Sequence, residues 1–494
     1  MKTFGWITLM ACVFGTAASA QKPEQSEGSF FNVRAFGALG DGATLDTAAI
    51  EKAITAANAA GGGTVVLPPG TYVSGTLELL SNVTLDLQAG AVLQASPDLE
   101  DYGSTAAYGF GRKYGIDSSG EGFRVGLIVA RQATNVSIVG RGTIDGNGDS
   151  FFDLKSIHNG ADFDPQFTRQ GADYDSPKYG LEFGPVEVGP NGRPGTMIIF
   201  SDCRNILVRD VTLSNAPNWT MHLQGSEGAV ISGIHIVNDV RIPNNDGIDC
   251  MRCKRVQISD CDIRAGDDDF AIVSSEDVHV NNCSLVSLSA AVRLEDTRYA
   301  TFSNLSIHAN RGLGVFSVGE EHTAHVLFSN ITMETNLITG HWWGKAEPIY
   351  IAAQQGNGKA EIRDIHFTNM TIEAEAGMVM FGNPDAIVRD IYLEQICMHV
   401  RAPLPRIAQS VGGNFDLRWT ALGLSKAIFQ HDIPALYLRY LDGLHVRDFD
   451  LTWGDNLPAY FLIAVQAEDS KNLDYGDLNP TSHPGTASKP VAVH

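Results

Sequence analysis

The chain has 494 residues, of which 44% are hydrophobic and 19% charged, with a formal net charge of −22. No cluster of Lys and Arg offsets that excess of acid, which argues against a nucleic-acid partner. Beyond the first twenty residues no apolar run reaches the ~18 residues of a membrane-spanning helix.

Residues 1–20 read as an export signal: Lys2, an apolar run from Phe4 to Phe14, then small residues ending in Ala18-Ser19-Ala20. Cleavage is expected before Gln21, leaving a secreted or periplasmic chain of net charge −23 once Lys2 is gone. The mature chain keeps Cys203, Cys250, Cys253, Cys261, Cys283 and Cys397. An even number in an oxidising compartment permits disulfides. Cys250-x-x-Cys253 suggests zinc, but no second CxxC or HxxxH follows at finger spacing. Buried thiols on neighbouring turns are the plainer reading.

Residues 21–29 are polar. Asp46 is placed to cap a helix over 47–60, where Ile50, Ala53, Ile54 and Ala57 recur at helical spacing until Gly61-Gly62-Gly63. A short strand from Thr64 to Leu67 precedes Pro68-Pro69-Gly70, so the helix is expected to cap one end of a β structure. From Thr71 on, one phrase returns: NILVRDVTL at 205, VQISDCDI at 256, VHVNNCSL at 278, VLFSNITM at 326, LHVRDFDL at 444. Aligning the residue before the second apolar pair gives Asp210, Asp260, Asn282, Asn304, Asn330, Asn369, Asp390 and Asp448, several of them 21, 22 or 26 residues apart. Strand units of ~20 to 30 residues that cannot bury their apolar faces alone predict a solenoid, each coil stacked ~4.8 Å from the next. An antiparallel sandwich is the alternative, which so regular a repeat disfavours. Asn304 and Asn330 also match the N-x-[ST] glycosylation pattern, which turn chemistry explains as well. Departures from the repeat around 96–125, 150–196, 335–362 and 401–442 are expected to project as loops. One domain over 21–466 is expected, with a loose tail over 467–494 rich in Pro, Ser and Asp.

The stretch from Asn244 to Ser275 gathers Asp246 and Asp249, then Asp267, Asp268 and Asp269. Asp246 and Asp267 lie 21 residues apart, one coil, so both fall on adjacent rungs of one exposed face with Asp268 beside them. Like charges crowded together push one another's pKa upward, an arrangement that usually has a chemical use. Three convergent carboxylates suit acid and base work on a glycosidic bond, one donating to the leaving oxygen and another activating water. Inverting hydrolysis separates those roles by ~6.5 to 9.5 Å, a spacing adjacent rungs can supply. A calcium site or a solvated acidic turn would account for the same carboxylates.

The segment resembles the signature of glycoside hydrolase family 28, the polygalacturonases. There an N-x-D block is followed one coil later by G-D-D or Q-D-D, matched here by Asn244-Asn245-Asp246-Gly247 and Gly266-Asp267-Asp268. Asn215-Ala216-Pro217-Asn218-Trp219 resembles the family's NSPxW stretch, as does the amino-terminal FNVRAFGALGDG. The likeness runs from about residue 30 to 450. It implies an all-β fold, a right-handed parallel β-helix. It also implies that Asp267 is the general acid and that Asp246 and Asp268 hold and deprotonate water, with inversion and no covalent intermediate.

The family's G-H-G is here Ser287-Leu288-Ser289-Ala290-Ala291, its R-x-K block has no evident counterpart, and Val273 stands where related sequences often carry Lys. The sugar recognised is therefore open. Asn244, Arg293, Arg311, Trp342, Trp343, Lys345 and Glu347 are the candidate substrate contacts, Arg pairing with a carboxylate and Trp stacking on sugar. Arg293 has Glu295 and Asp296 as alternative partners, one Trp is expected in the core, and His322 or His325 is a candidate for the missing His. The expected function is hydrolysis of pectic or related plant cell-wall polysaccharides or oligosaccharides by a monomer that needs no cofactor and no metal. The alternatives are a β-helix polysaccharide lyase, with a Lys or Arg base and often Ca²⁺, and a non-enzymatic carbohydrate-binding solenoid.

Overall fold

Parallel pairing between strands distant in sequence builds the molecule. The computed structural model describes residues 29–103, 125–157, 163–179, 184–319, 322–354, 360–418, 426–476, 478–480 and 491–493. The expected export signal lies outside these residues. One ribbon stacks Ile198–Ser201, Met221–Gln224, Ile248–Met251 and Phe270–Val273 in register, and runs on through Ile349–Ala353, Met378–Phe381 and Leu436–Arg439. A second stacks Thr134–Gly140, Arg204–Arg209, Glu227–Ser232 and Lys254–Ser259. A third stacks Thr212–Ser214, His235–Val237 and Asp262–Ala265. The fold is a parallel β-helix.

The repeat follows from corner chemistry. Asp210, Asp260, Asn282, Asn304, Asn330, Asn369, Asp390 and Asp448 all have φ between 49° and 64°, the left-handed conformation that Asn and Asp tolerate best. Their side chains form a ladder up the corner: Asn282 Nδ2 donates to Asp260 Oδ1 at 2.7 Å, and Asn369 Nδ2 to Asn330 Oδ1 at 2.8 Å. Between corners, alternate residues point inward. Phe302, Phe328 and Phe367 stack there with ring centroids 5.0 and 5.1 Å apart, the spacing of the coils.

A helix, Thr47–Ala59, buries Ile50, Ala53, Ile54 and Ala57 against the first strands of the stack. Asp46 makes no side-chain cap. Its carboxylate instead accepts from the Leu39 and Gly40 backbone N–H groups at 2.7 and 3.0 Å, because the preceding turn reaches it first. The ribbon continues past the boundary expected at 466: Val465–Glu468 pairs with Leu436–Arg439, and Lys471–Asp474 with Leu441–Trp453. The alternation of Leu473 with polar neighbours was too short to separate from turn composition. The six described cysteines are free, five of them buried and Cys397 exposed. Cys253 Sγ donates to the Leu223 and Met251 carbonyls, a packing role rather than a zinc site. No described helix is long and apolar enough to cross a membrane.

Candidate active site

The acids are set by coil stacking at the end of the first ribbon. Ile248 pairs with Phe270, and Phe270 with Val292, so the turns that precede these strands lie over one another and carry Asp246, then Asp267 and Asp268, then Ser289. Asn245 ties two of the turns together: its Nδ2 donates to the Asp239 carbonyl at 2.7 Å and its Oδ1 accepts from Gly266 N at 2.6 Å. Backbones approach so closely here that a Cβ at Gly247 would fall 2.4 Å from Asp269 O, and one at Gly266 2.4 Å from Val240 O. This accounts for both glycines of the motif.

One carboxylate oxygen from each of Asp246, Asp267 and Asp268 lies within 4.8 Å of the others. That is closer than the two-carboxylate separation that the 21-residue spacing suggested, because the acids share one column of turns rather than facing each other across a cleft. Nor are they on an exposed face: they are 6%, 7% and 7% exposed. Asp249 and Asp269, from the same turns, are fully buried, and none of their four carboxylate oxygens has a hydrogen-bond partner.

Burial, reinforced by the neighbouring carboxylates Asp267, Asp249 and Asp268, holds Asp246 well above the usual range. Burial and then Asp267 push Asp268 up to about 7. Burial also raises Asp267, opposed by Ser289 and Arg293. All three carboxyl groups are thus shifted upward in one buried site. The Ser289 hydroxyl and the Ala290 N–H both point at Asp268 Oδ1, at 3.5 and 3.4 Å, in the stretch that replaces the family's G-H-G.

These shifts carry a stability consequence. Unfolded Asp titrates near ~3.9, whereas folded Asp268 keeps its proton to about 7. The folded state therefore binds the extra proton, and its contribution to stability is present at low pH and lost as pH rises through 7. We expect Asp268→Asn to be more stable than the parent at pH 8, by the order of 2 to 4 kcal/mol. The difference should vanish near pH 4, as thermal melts at the two pH values would read.

Asn244 is brought to the trio, its Nδ2 3.3 Å from Asp267 Oδ2. Arg293 stands beside it and is ion-paired with Glu295, the alternative partner expected from sequence. Burial would lower its pKa, but Glu295, Asp268 and Asp246 outweigh that and raise it. Arg311, Lys345 and Glu347 are buried rather than presented to a ligand. Arg311 lies 3.4 Å from Glu347 and 3.7 Å from Asp416, with its guanidinium 3.8 Å over the Tyr350 ring. Lys345 Nζ donates to Gly344 O at 3.0 Å, and its backbone N–H to Glu347 at 2.7 Å. Trp342 is the core tryptophan, whereas Trp343, half-buried, stacks 3.9 Å from the Arg418 guanidinium. These charges close on themselves because Asp416 and Arg418 arrive from a segment about 70 residues beyond Glu347. His325 bonds to Asp364 on the second ribbon, and His322 lies 3.6 Å from Glu361. Ser289 and Ala290 fill the position assigned to them.

Residues 189–380 match the family model described as glycosyl hydrolases family 28, and residues 30–169 match that described as rhamnogalacturonase A/epimerase, pectate lyase-like. Over that matched stretch, residues 189–380, the chain is polygalacturonase-like. Among the relatives, a probable polygalacturonase of Vitis vinifera is 32% identical over 249 residues, covering 49% of this chain and 44% of its own. An exo-poly-alpha-D-galacturonosidase of Dickeya chrysanthemi is 27% identical over 253 residues, covering 48% and 40%. The chain thus spans less than half the length of these two curated relatives. A family 28 exopolygalacturonase of Yersinia enterocolitica shares the fold at a TM-score of 0.60 and 18% identity, over 90% of this chain and 78% of that one.

Proposed function

We propose that the protein is an exported glycoside hydrolase that cleaves pectic polysaccharides or oligosaccharides of galacturonan or rhamnogalacturonan type with inversion. The observation that carries the reading is the convergence of Asp246, Asp267 and Asp268 within 4.8 Å in a desolvated column of turns. Burial raises the pKa of Asp267, the direction a general acid needs. In the proposed step Asp267 gives its proton to the leaving glycosidic oxygen. Asp246 and Asp268 take a proton from water as its oxygen bonds to the anomeric carbon. The polygalacturonase and galacturonosidase names of the relatives support a pectic substrate.

The short spacing also admits a second stereochemistry. Carboxyl groups ~5 Å apart belong to retaining enzymes, where one is the nucleophile. Turnover of a panel of pectic and rhamnogalacturonan oligosaccharides, with the first-formed anomer followed by NMR, separates the two. An inverted anomer is expected; retention would transfer one aspartate to the nucleophile's role. Absence of turnover on every pectic substrate would remove the proposal.

A further inference from the structure

One cation reaches the trio from outside the β-helix coils. Phe152–Ile157 and Val186–Val188 form an antiparallel hairpin whose Phe151, Phe152 and Val186 pack on Ile242, just ahead of the Asp246 turn. The chain leaving this hairpin carries Arg193. Its Nη1 donates to the carbonyls of Pro217 at 3.0 Å and Pro243 at 2.6 Å, bridging two successive coils, while Nη2 donates to Asn244 Oδ1 at 3.0 Å. No carboxylate of the described residues forms an ion pair with it.

A guanidinium has donors only, so the oxygen of the Asn244 carboxamide must face Arg193 and its NH₂ must face away, toward Asp267 Oδ2 at 3.3 Å. A protonated carboxyl group has one hydroxyl and one carbonyl oxygen, and an amide N–H prefers the latter, the stronger acceptor. The contact therefore puts an Asp267 proton on Oδ1.

We propose that Arg193 is a positioning residue: by fixing the Asn244 amide it selects which oxygen of Asp267 carries the transferable proton. The proposal rests on the hydrolase reading above, in which Asp267 is the acid. A misdirected proton costs turnover rather than binding, and misplacement of about 1 Å at a reacting group can cost ~10²-fold.

The test uses Arg193→Met, Asn244→Leu and the double variant on the pectic oligosaccharide that the parent turns over. Arg193→Met is expected to lower kcat by about ten- to a hundredfold with KM within about threefold. If Arg193 acts through Asn244, the double variant falls no further than Asn244→Leu alone. Unchanged kcat, a rise confined to KM, or additive losses would overturn the proposal. Crystal structures of the parent and Arg193→Met give a readout that needs no activity: the Asn244 to Asp267 contact should be lost, and its persistence would also overturn the relay. A parent inactive on all pectic substrates would defeat the hydrolase reading while leaving this comparison decisive. Should Arg193→Met be too unstable to purify, Arg193→Lys replaces it, since one ammonium cannot span both carbonyls and Asn244 Oδ1.

Discussion

Asp267→Asn and Asp246→Asn are each expected to lower kcat by about 10²- to 10⁴-fold, the range that a positioned acid or base supplies. The reason is local. Asn244 and Ser289 already hold the neighbouring oxygens, and no other described carboxyl group of the column reaches the same place except Asp268. Both variants should fold. Each removes a buried acid whose raised pKa opposes stability at neutral pH, so melting temperatures should stay level or rise rather than fall. Initial rates on the substrate found by the panel, beside thermal melts at pH 7, give both quantities. Near-parental turnover in the two variants would end the assignment of these acids, whereas lost activity with lost folding would point to a structural role.

The β-helix was legible because its corners are written in residue type. Asp260, Asn282, Asn304 and Asn330 recur since each must adopt a left-handed turn, and period-two apolar residues on either side have one interior to fill. The acid trio was legible for the same reason: a spacing of one coil fixes which turns overlie. What the repeat does not encode is depth. Asp246, Asp267 and Asp268 are buried, and Arg193, from outside the coils, bonds to Asn244 beside them, a contact that leaves no periodic trace. Arg193 went unnoticed since its partners, Pro217, Pro243 and Asn244, are joined only through the docking of the 152–188 hairpin. Ser289 was read as a gap in the G-H-G block, yet its hydroxyl points at Asp268. Arg311, Lys345 and Glu347 are residue types suited to gripping a sugar acid. Only the fold shows that Asp416 and Arg418 complete the group.

That completed group makes Arg311→Met the variant with the largest expected loss of stability, about 3 to 5 kcal/mol. Burial alone would raise the pKa of Asp416, but Arg418 and Arg311 outweigh it and hold the carboxyl well below the usual range. Removing Arg311 leaves Glu347 without its bonded guanidinium and Asp416 with one guanidinium, that of Arg418, in place of two, both carboxylates nearly sealed from water. The loss has a pH signature. A depressed carboxyl contributes stability above its unfolded pKa of ~3.9 and loses it as pH falls through the folded value. The difference between variant and parent should therefore be full at pH 7 and shrink below pH 4, where protonation relieves the orphaned charge. Urea unfolding at the two pH values measures it. The trio feels the same change more weakly, because Arg311 also lowers the pKa of Asp268, so activity near neutrality should drop less than stability does. If the variant instead kept its stability and only its KM rose, Arg311 would be free to grip substrate, and the self-neutralised cluster would no longer explain why it is buried.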